Sequence, residues 1–320
     1  MVEDFHCCLC NSNCGEVAHN FDCHVVIACG NCAHLSTHPP PRKVDLSTHY
    51  SERYYGDDGK RMRSKWLQKV QAAFRWRRAW RLRKILYSVR GRRVLDLGCG
   101  NGLLLYWLQR WGAEASGMEI SNSAALSAAK LLGKDCIKAE SIERADYPDH
   151  SFDLITAWHV LEHLDDPLYV LEKIARIIKP DGLVYVEVPN AGSWSARRLS
   201  SSWLGYDVPN HLHHFTPEML QELAARAGLY CVRETYWSLE YSPVTLLQSL
   251  VNTFVGGDSF LFRSLSYDKP LPVGSRIGLL LKFVLHVGLA CVLVLPAFLM
   301  SVVLAWLRKG DTYGAYLRSR

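Results

Sequence analysis

Glycine recurs at 98, 100 and 102, directly after the run Val94-Leu95-Asp96-Leu97, and Leu103 to Leu108 then open a new apolar segment. That order reads as a buried strand, a tight turn and a helix start. Glycine is needed where the backbone takes positive φ or lies close against a ligand. The helix start beyond the turn offers unpaired N–H groups and positive dipole charge. A turn built this way binds a phosphate or a nucleoside-type cofactor, unless it is an ordinary strand-to-helix connection. Spacing narrows the choice. A dinucleotide site asks for G-x-G-x-x-G, but Leu103 holds the third place here and the glycine falls early, at 102. The lysine of a phosphate-binding P-loop is missing as well.

Beyond the turn, strand-like and helix-like segments alternate as far as residue 235. This is the pattern of an open parallel sheet with helices on both faces. Leu103–Trp111 reads as a helix and Ala113–Ile120 as a strand carrying Glu119 near its end. An acid at the carboxyl end of the second strand can accept hydrogen bonds from both ribose hydroxyls. Cys136–Glu140, Ser151–Ala157 and Leu183–Val188 read as further strands. Asp166-Pro167 and Thr216-Pro217 each place a capping residue before a proline at the first helical position.

The ordered set Asp96-x-Gly98-x-Gly100-x-Gly102, Gly117-Met118-Glu119-Ile120-Ser121, Glu140, Phe152-Asp153 and Val160-Leu161-Glu162-His163 resembles the motifs of class I S-adenosylmethionine (SAM)-dependent methyltransferases. Glu119 stands where that family more often has Asp, and Lys179-Pro180-Asp181-Gly182 replaces one glycine of its Lys-Pro-Gly-Gly turn. The resemblance covers residues 94–235. It implies a doubly wound, mostly parallel α/β sheet, Rossmann-like, with SAM as cofactor. Carried over residue by residue, it puts Asp96, Gly98, Cys99, Gly100, Gly102, Glu119, Ile120, Glu140 and Trp158 around that cofactor. His211-Leu212-His213-His214-Phe215-Thr216-Pro217 resembles a segment of one branch whose members often carry N-terminal Cys knuckles. Methyl transfer asks mainly for in-line positioning, because the sulfonium is already activated. A histidine with pKa near 7 can take a hydroxyl proton. His211 is the preferred base and His159 a candidate for touching cofactor or substrate, the alternative being that they only pack the pocket wall.

The two ends carry different signals. Seven of the 11 cysteines lie in the first 32 residues, and Cys7-x2-Cys10 and Cys29-x2-Cys32 stand 18 residues apart. This is the spacing of a four-cysteine zinc ribbon, whose closed shell is structural. Cys8, Cys14 and Cys23 are surplus, which leaves the ligand choice and a redox-sensitive alternative open. Pro39-Pro40-Pro41 ends this module, and Tyr50, Tyr54 and Tyr55 follow in a segment that either closes the cofactor pocket or packs on the core. Met1 to Leu9 lack the basic start and apolar core of a signal peptide, so a cytosolic start is expected.

The net charge of +6 belongs to one segment, because residues 60–93 hold 14 Lys/Arg and no Asp/Glu. Trp66, Leu67, Val70, Ala73 and Phe74 make one helical face there, with Trp76, Trp80 and arginines on others. Such a helix suits an anionic membrane surface, a nucleic acid backbone or a solvated cap. Val287 to Leu307 is a 21-residue run without a charge. At about 1.5 Å per residue it is long enough to span a bilayer core. A re-entrant hairpin at Pro296, a buried helix or an oligomer contact are alternatives. The division expected is 1–41 zinc ribbon, 42–93 linker and basic helix, 94–240 cofactor core, and 241–320 membrane-associated segment anchored through 277–307 on the cytoplasmic side. The function expected is SAM-dependent O-methylation of a membrane-associated glycan, polyprenyl-linked or quinone-like acceptor. RNA methylation through ribbon and basic helix, and a non-catalytic SAM-binding scaffold, are the alternatives.

Overall fold

The computed structural model describes residues 5–7, 9–21, 23–40, 64–256, 259–265 and 276–320. Cys8 and the tyrosines at 50, 54 and 55 lie outside the described residues. In chain order the elements begin with strands β1 (Gly15–Phe21), β2 (His24–Cys29) and β3 (Leu35–His38), then helix α1 (Lys65–Ile85). The core follows with β4 (Arg93–Leu97), α2 (Leu103–Arg110), β5 (Glu114–Met118), α3 (Asn122–Leu132) and β6 (Ile137–Lys138). Next come β7 (Phe152–Trp158), α4 (Pro167–Ile177), β8 (Ile178–Pro189), α5 (Trp194–Leu199) and β9 (His213–His214). The chain closes with α6 (Pro217–Arg226), β10 (Leu229–Thr235), α7 (Ser242–Val255), α8 (Phe260–Leu265), α9 (Arg276–Trp306) and β11 (Thr312–Ser319).

The main sheet has the order β10-β11-β8-β7-β4-β5-β6, with β8-β7-β4-β5-β6 parallel and β11 antiparallel to both its neighbours. Strands covered on both faces read as continuous apolar runs, and Leu154, Ile155 and Ala157 of β7 are fully buried. Local signals start the helices as expected: Asp166 accepts the N–H of Tyr169 at 2.9 Å ahead of Pro167, and Thr216 caps Met219 ahead of Pro217. The segment Lys179–Gly182 loops out within β8, since Phe152 pairs with Ile178 but Leu154 with Leu183.

Two boundaries differ from expectation. Residues 312–319 are not part of an appendage, because β11 inserts between β8 and β10 with Tyr313, Ala315 and Leu317 fully buried. The 94–240 core is therefore completed by chain from beyond the apolar helix. The ribbon is likewise no detached module. Its sheet runs β1-β2-β3-β9, and β3 pairs Leu35 with His214 and Ser36 with His213.

Helix α9 passes through Pro296 without a break, so no hairpin turns there. Ala297 and Leu304 pack on Leu246 of α7.

Candidate active site

The expected glycine turn forms at the carboxyl end of β4, where the strand order reverses and ligands bind in such sheets. Gly98, Gly100 and Gly102 all take positive φ, at 64°, 55° and 78°. A Cβ on Gly98 would stand 2.7 Å from Val160 Cγ2, and one on Gly102 would stand 2.9 Å from Leu132 Cδ1. The turn therefore needs glycine both for its backbone angles and for space.

Glu119, just past β5, holds the turn from the side. Its Oε2 accepts the N–H of Gly100 and its Oε1 accepts that of Ser121, each at 2.9 Å. Burial raises the Glu119 carboxyl pKa, and these backbone donors work against that rise. Asp96, in the core of β4, accepts the Thr156 hydroxyl at 2.5 Å, and burial lifts its pKa to about 7.

Around these groups lies a cavity of about 170 Å³. The cofactor positions expected from sequence, Asp96, Gly98, Cys99, Gly100, Glu119, Ile120, Glu140 and Trp158, all line it, whereas Gly102 lies behind the turn against α3. Several residues with no short-range sequence signal line it too. Gln71, Arg75 and Arg78 reach in from α1, and Tyr241 from the residue before α7. Glu240 pairs with Arg75 and Arg78 at 2.5 and 2.6 Å, and the Arg78 guanidinium lies over the Trp158 ring at 4.1 Å. The basic helix thus spends part of its charge inside the protein, on buried partners.

His159 lies in the cavity wall but is already engaged. Its Nδ1 stands 3.1 Å from Glu162 and its Nε2 3.5 Å from Glu187, with the Tyr241 ring at 3.9 Å between centroids. Burial alone would lower its pKa, but Tyr241 and the two carboxylates outweigh burial and raise it to about 10. The pair holds Glu187 down at about 2, against the rise that burial alone would cause. His159 thus stands in the cavity wall, where a residue expected to touch cofactor or substrate would be, with its ring held between two carboxylates.

His211 also sits differently from expectation. It is buried, with Nδ1 2.8 Å from the Gly205 carbonyl, and it is not among the residues lining the cavity. Its neighbour His163 is, at 4.7 Å between ring centroids. His163 Nδ1 lies 2.9 Å from the Asn210 carbonyl, and burial followed by the nearby His211 brings its pKa down to about 4. The ligand atoms of Glu162, His163 and His211 lie within 4.8 Å of one another.

At the other end, Cys7, Cys10, Cys29 and Cys32 bring their sulfurs within 4.8 Å of each other. The Cys7–Cys32 and Cys10–Cys29 separations are 3.6 and 3.5 Å. Four sulfurs at ~2.3 Å from a tetrahedral zinc stand ~3.8 Å apart, so the cluster fits that ion. Of the surplus cysteines described, Cys14 and Cys23 are exposed and outside the group. The ribbon reaches the histidine segment directly: His34 Nε2 meets His213 Nδ1 at 2.9 Å, and the Thr37 hydroxyl donates to the His211 carbonyl at 2.6 Å.

Comparison with known proteins bears on the same region. The profile of a family described as "Methyltransferase domain" matches residues 60–234. The chain is 31% identical over 157 residues to a ubiquinone biosynthesis O-methyltransferase of Neisseria meningitidis serogroup C, covering 44% of this chain and 65% of that protein. It is 30% identical over 172 residues to a protein of the same description from Thiobacillus denitrificans, covering 50% of this chain and 73% of that protein. The N. meningitidis serogroup C protein, and a relative of the same description from serogroup A, are thus spanned for only 65% and 64% of their length. Among solved structures, the 4+2 cyclase SpnF superposes with a TM-score of 0.51 at 16% identity, covering 88% of this chain and 97% of that one. At that identity the likeness establishes the fold alone.

Proposed function

The chain belongs to the class I SAM-dependent methyltransferases, and on that premise we propose that it O-methylates a quinone-like acceptor at a membrane surface. The reading rests on the cavity, where a glycine turn stapled by Glu119 faces a wall carrying His163. Support for the acceptor class comes from the relatives described as ubiquinone biosynthesis O-methyltransferases. Support for the membrane comes from α9, whose Leu281, Leu285, Leu295 and Leu299 are exposed.

SAM supplies a methyl group on a sulfonium that is already activated toward attack. The residues of this chain hold and orient. Gly98 and Gly100 would let the backbone approach the cofactor, and the remaining lone pairs of Glu119 would accept from its ribose hydroxyls. Asp96, whose carboxyl burial pushes up to about 7, lines the same cavity and would favour a cationic cofactor there. His163 is the acceptor for the hydroxyl proton: it lines the cavity, burial keeps it neutral, and a Nδ1–H directed at the Asn210 carbonyl makes Nε2 the basic nitrogen. His211 then positions His163 from behind. The four thiolates of Cys7, Cys10, Cys29 and Cys32 would hold one structural zinc.

Labelled SAM, the full chain and separate lipid, glycan and RNA fractions test this reading. Label on a phenolic hydroxyl of a quinone-like lipid is the expected result. Label in RNA or glycan alone overturns the acceptor, and SAM binding without any transfer leaves a scaffold.

A further inference from the structure

Helix α9 is covered on one side only. Leu246 of α7 packs on Ala297 and Leu304, and Phe260 of α8 packs against His286. The other side of α7 is tied to the body of the protein. Ser249 Oγ accepts the N–H of Leu204 at 2.9 Å, Asn252 Nδ2 donates to the Ser202 carbonyl at 3.1 Å, and Ser242 meets Thr312 at 3.0 Å. From His286 to Leu304, then, α9 lies along the protein with α7 and α8 between. A crossing helix is surrounded by hydrocarbon for ~20 residues. Crossing here would carry α7 and the polar turn at 200–206 into the bilayer, where each unsatisfied backbone group costs several kcal/mol.

A cationic surface lies beside the apolar one. Trp237 donates its indole N–H to Ser301 at 3.2 Å, meets Phe298 at 6.3 Å, and carries the Arg77 guanidinium over its ring at 5.8 Å. Arg77 belongs to α1, where Trp66, Trp76 and Trp80 are exposed. Among the described residues Lys65, Lys69, Arg77, Arg83 and Lys84 make no ion pair. Cations with aromatic residues beside an exposed apolar face fit an anionic headgroup layer over hydrocarbon.

We propose that α9 lies in the plane of an anionic membrane surface, submerged in one leaflet along its free side with the cations of α1 on the headgroups, and does not cross the bilayer. The inference rests on the membrane reading above.

The test uses the full chain, since ending it before α9 would remove β11 from the sheet. Sealed vesicles of phosphatidylcholine, with or without phosphatidylglycerol, are the probe. A fluorescent residue placed at Leu281 or at Val292, both exposed, reports depth through lipids brominated near the headgroup or near the bilayer centre. These positions are 11 residues apart, ~16 Å along a helix, so a crossing helix with Leu281 at the headgroups would hold Val292 near the bilayer centre. Equal, shallow quenching at both is expected, with binding at least tenfold tighter on phosphatidylglycerol and weakened by Arg77→Glu with Lys84→Glu. Binding with unequal depths overturns the in-plane placement and leaves the membrane reading standing. No binding to either vesicle, or a dimer that buries both labels, overturns both.

Discussion

The backbone N–H of Gly100 points at the Glu119 carboxylate, 2.9 Å from Oε2, so the glycine turn and the acid proposed to bind the ribose are held as one unit. Loss of that acid removes both a ligand for the cofactor and a support for the turn. Glu119→Ala is expected to weaken SAM binding at least tenfold, about 1.4 kcal/mol. Glu119→Gln keeps one acceptor oxygen and should lose less. Titration calorimetry measures both, and an unchanged affinity in Glu119→Ala would remove the basis for the cofactor assignment.

The His159 ion pair makes stability depend on pH from two sides. His159 titrates near 10 in the fold against an ordinary 6.5, so its contribution is full below about pH 6.5 and fades as pH rises toward 10. Glu187 titrates near 2 against an ordinary 4.5, so its contribution is full above about 4.5 and fades as pH falls toward 2. Both shifts describe one shared interaction and count once. Melting temperature should therefore peak between about pH 4.5 and 6.5. In His159→Gln the alkaline decline should flatten, and the loss of the cation beside two buried carboxylates should cost about 3–5 kcal/mol. An alkaline limb identical to that of the parent chain counts against the buried imidazolium.

Zinc should be felt at the active site as well as in the ribbon. Strand β3 pairs with β9, and the histidines at 211, 213 and 214 all touch ribbon residues or their neighbours. Metal analysis should find one zinc per chain, lost in Cys29→Ser. That variant should melt lower and transfer methyl groups more slowly, with SAM affinity changed little because the glycine turn is remote from β3. A chain that holds no metal, or a Cys29→Ser variant of full activity, contradicts the coupling.

Much of the glycine turn and its flanking elements was legible because the signals are local. Glycines at 98, 100 and 102 announce positive φ, Glu119 follows at the next strand end, and Asp166-Pro167 and Thr216-Pro217 mark helix starts. Paired Cys-x2-Cys knuckles are equally local. The parts that were not legible depend on distant chain. Strand β11 pairs with β8 and β10 across the whole α7–α9 excursion, and its eight residues after a long apolar run look like a tail. Its apolar residues at 313, 315, 316 and 317 were the one hint in the sequence. Arg75, Arg78 and Tyr241 reach the cavity only because α1 and the start of α7 fold over it, and Glu240 gives the arginines a partner no spacing rule foresees. Histidines at 159, 163 and 211 look alike in sequence. Their roles separate only through what each ring nitrogen touches.

That separation gives the sharpest test of the chemistry. General-base catalysis contributes about 10²–10⁴ in rate, so His163→Asn should lower kcat at least a hundredfold while leaving SAM affinity within a few-fold. Asn210 and His211 set the orientation of His163 without lining the cavity wall. His211→Asn should therefore cost less, and mainly in kcat. The folded pKa of His163, near 4, places the acid limb of the rate profile there: activity should rise as pH climbs through 4 and stay flat above it until other groups titrate. In His163→Asn that limb should vanish along with the rate. A limb retained in His163→Asn but lost in His211→Asn would reassign the base to His211 and require the substrate hydroxyl to reach behind the cavity wall.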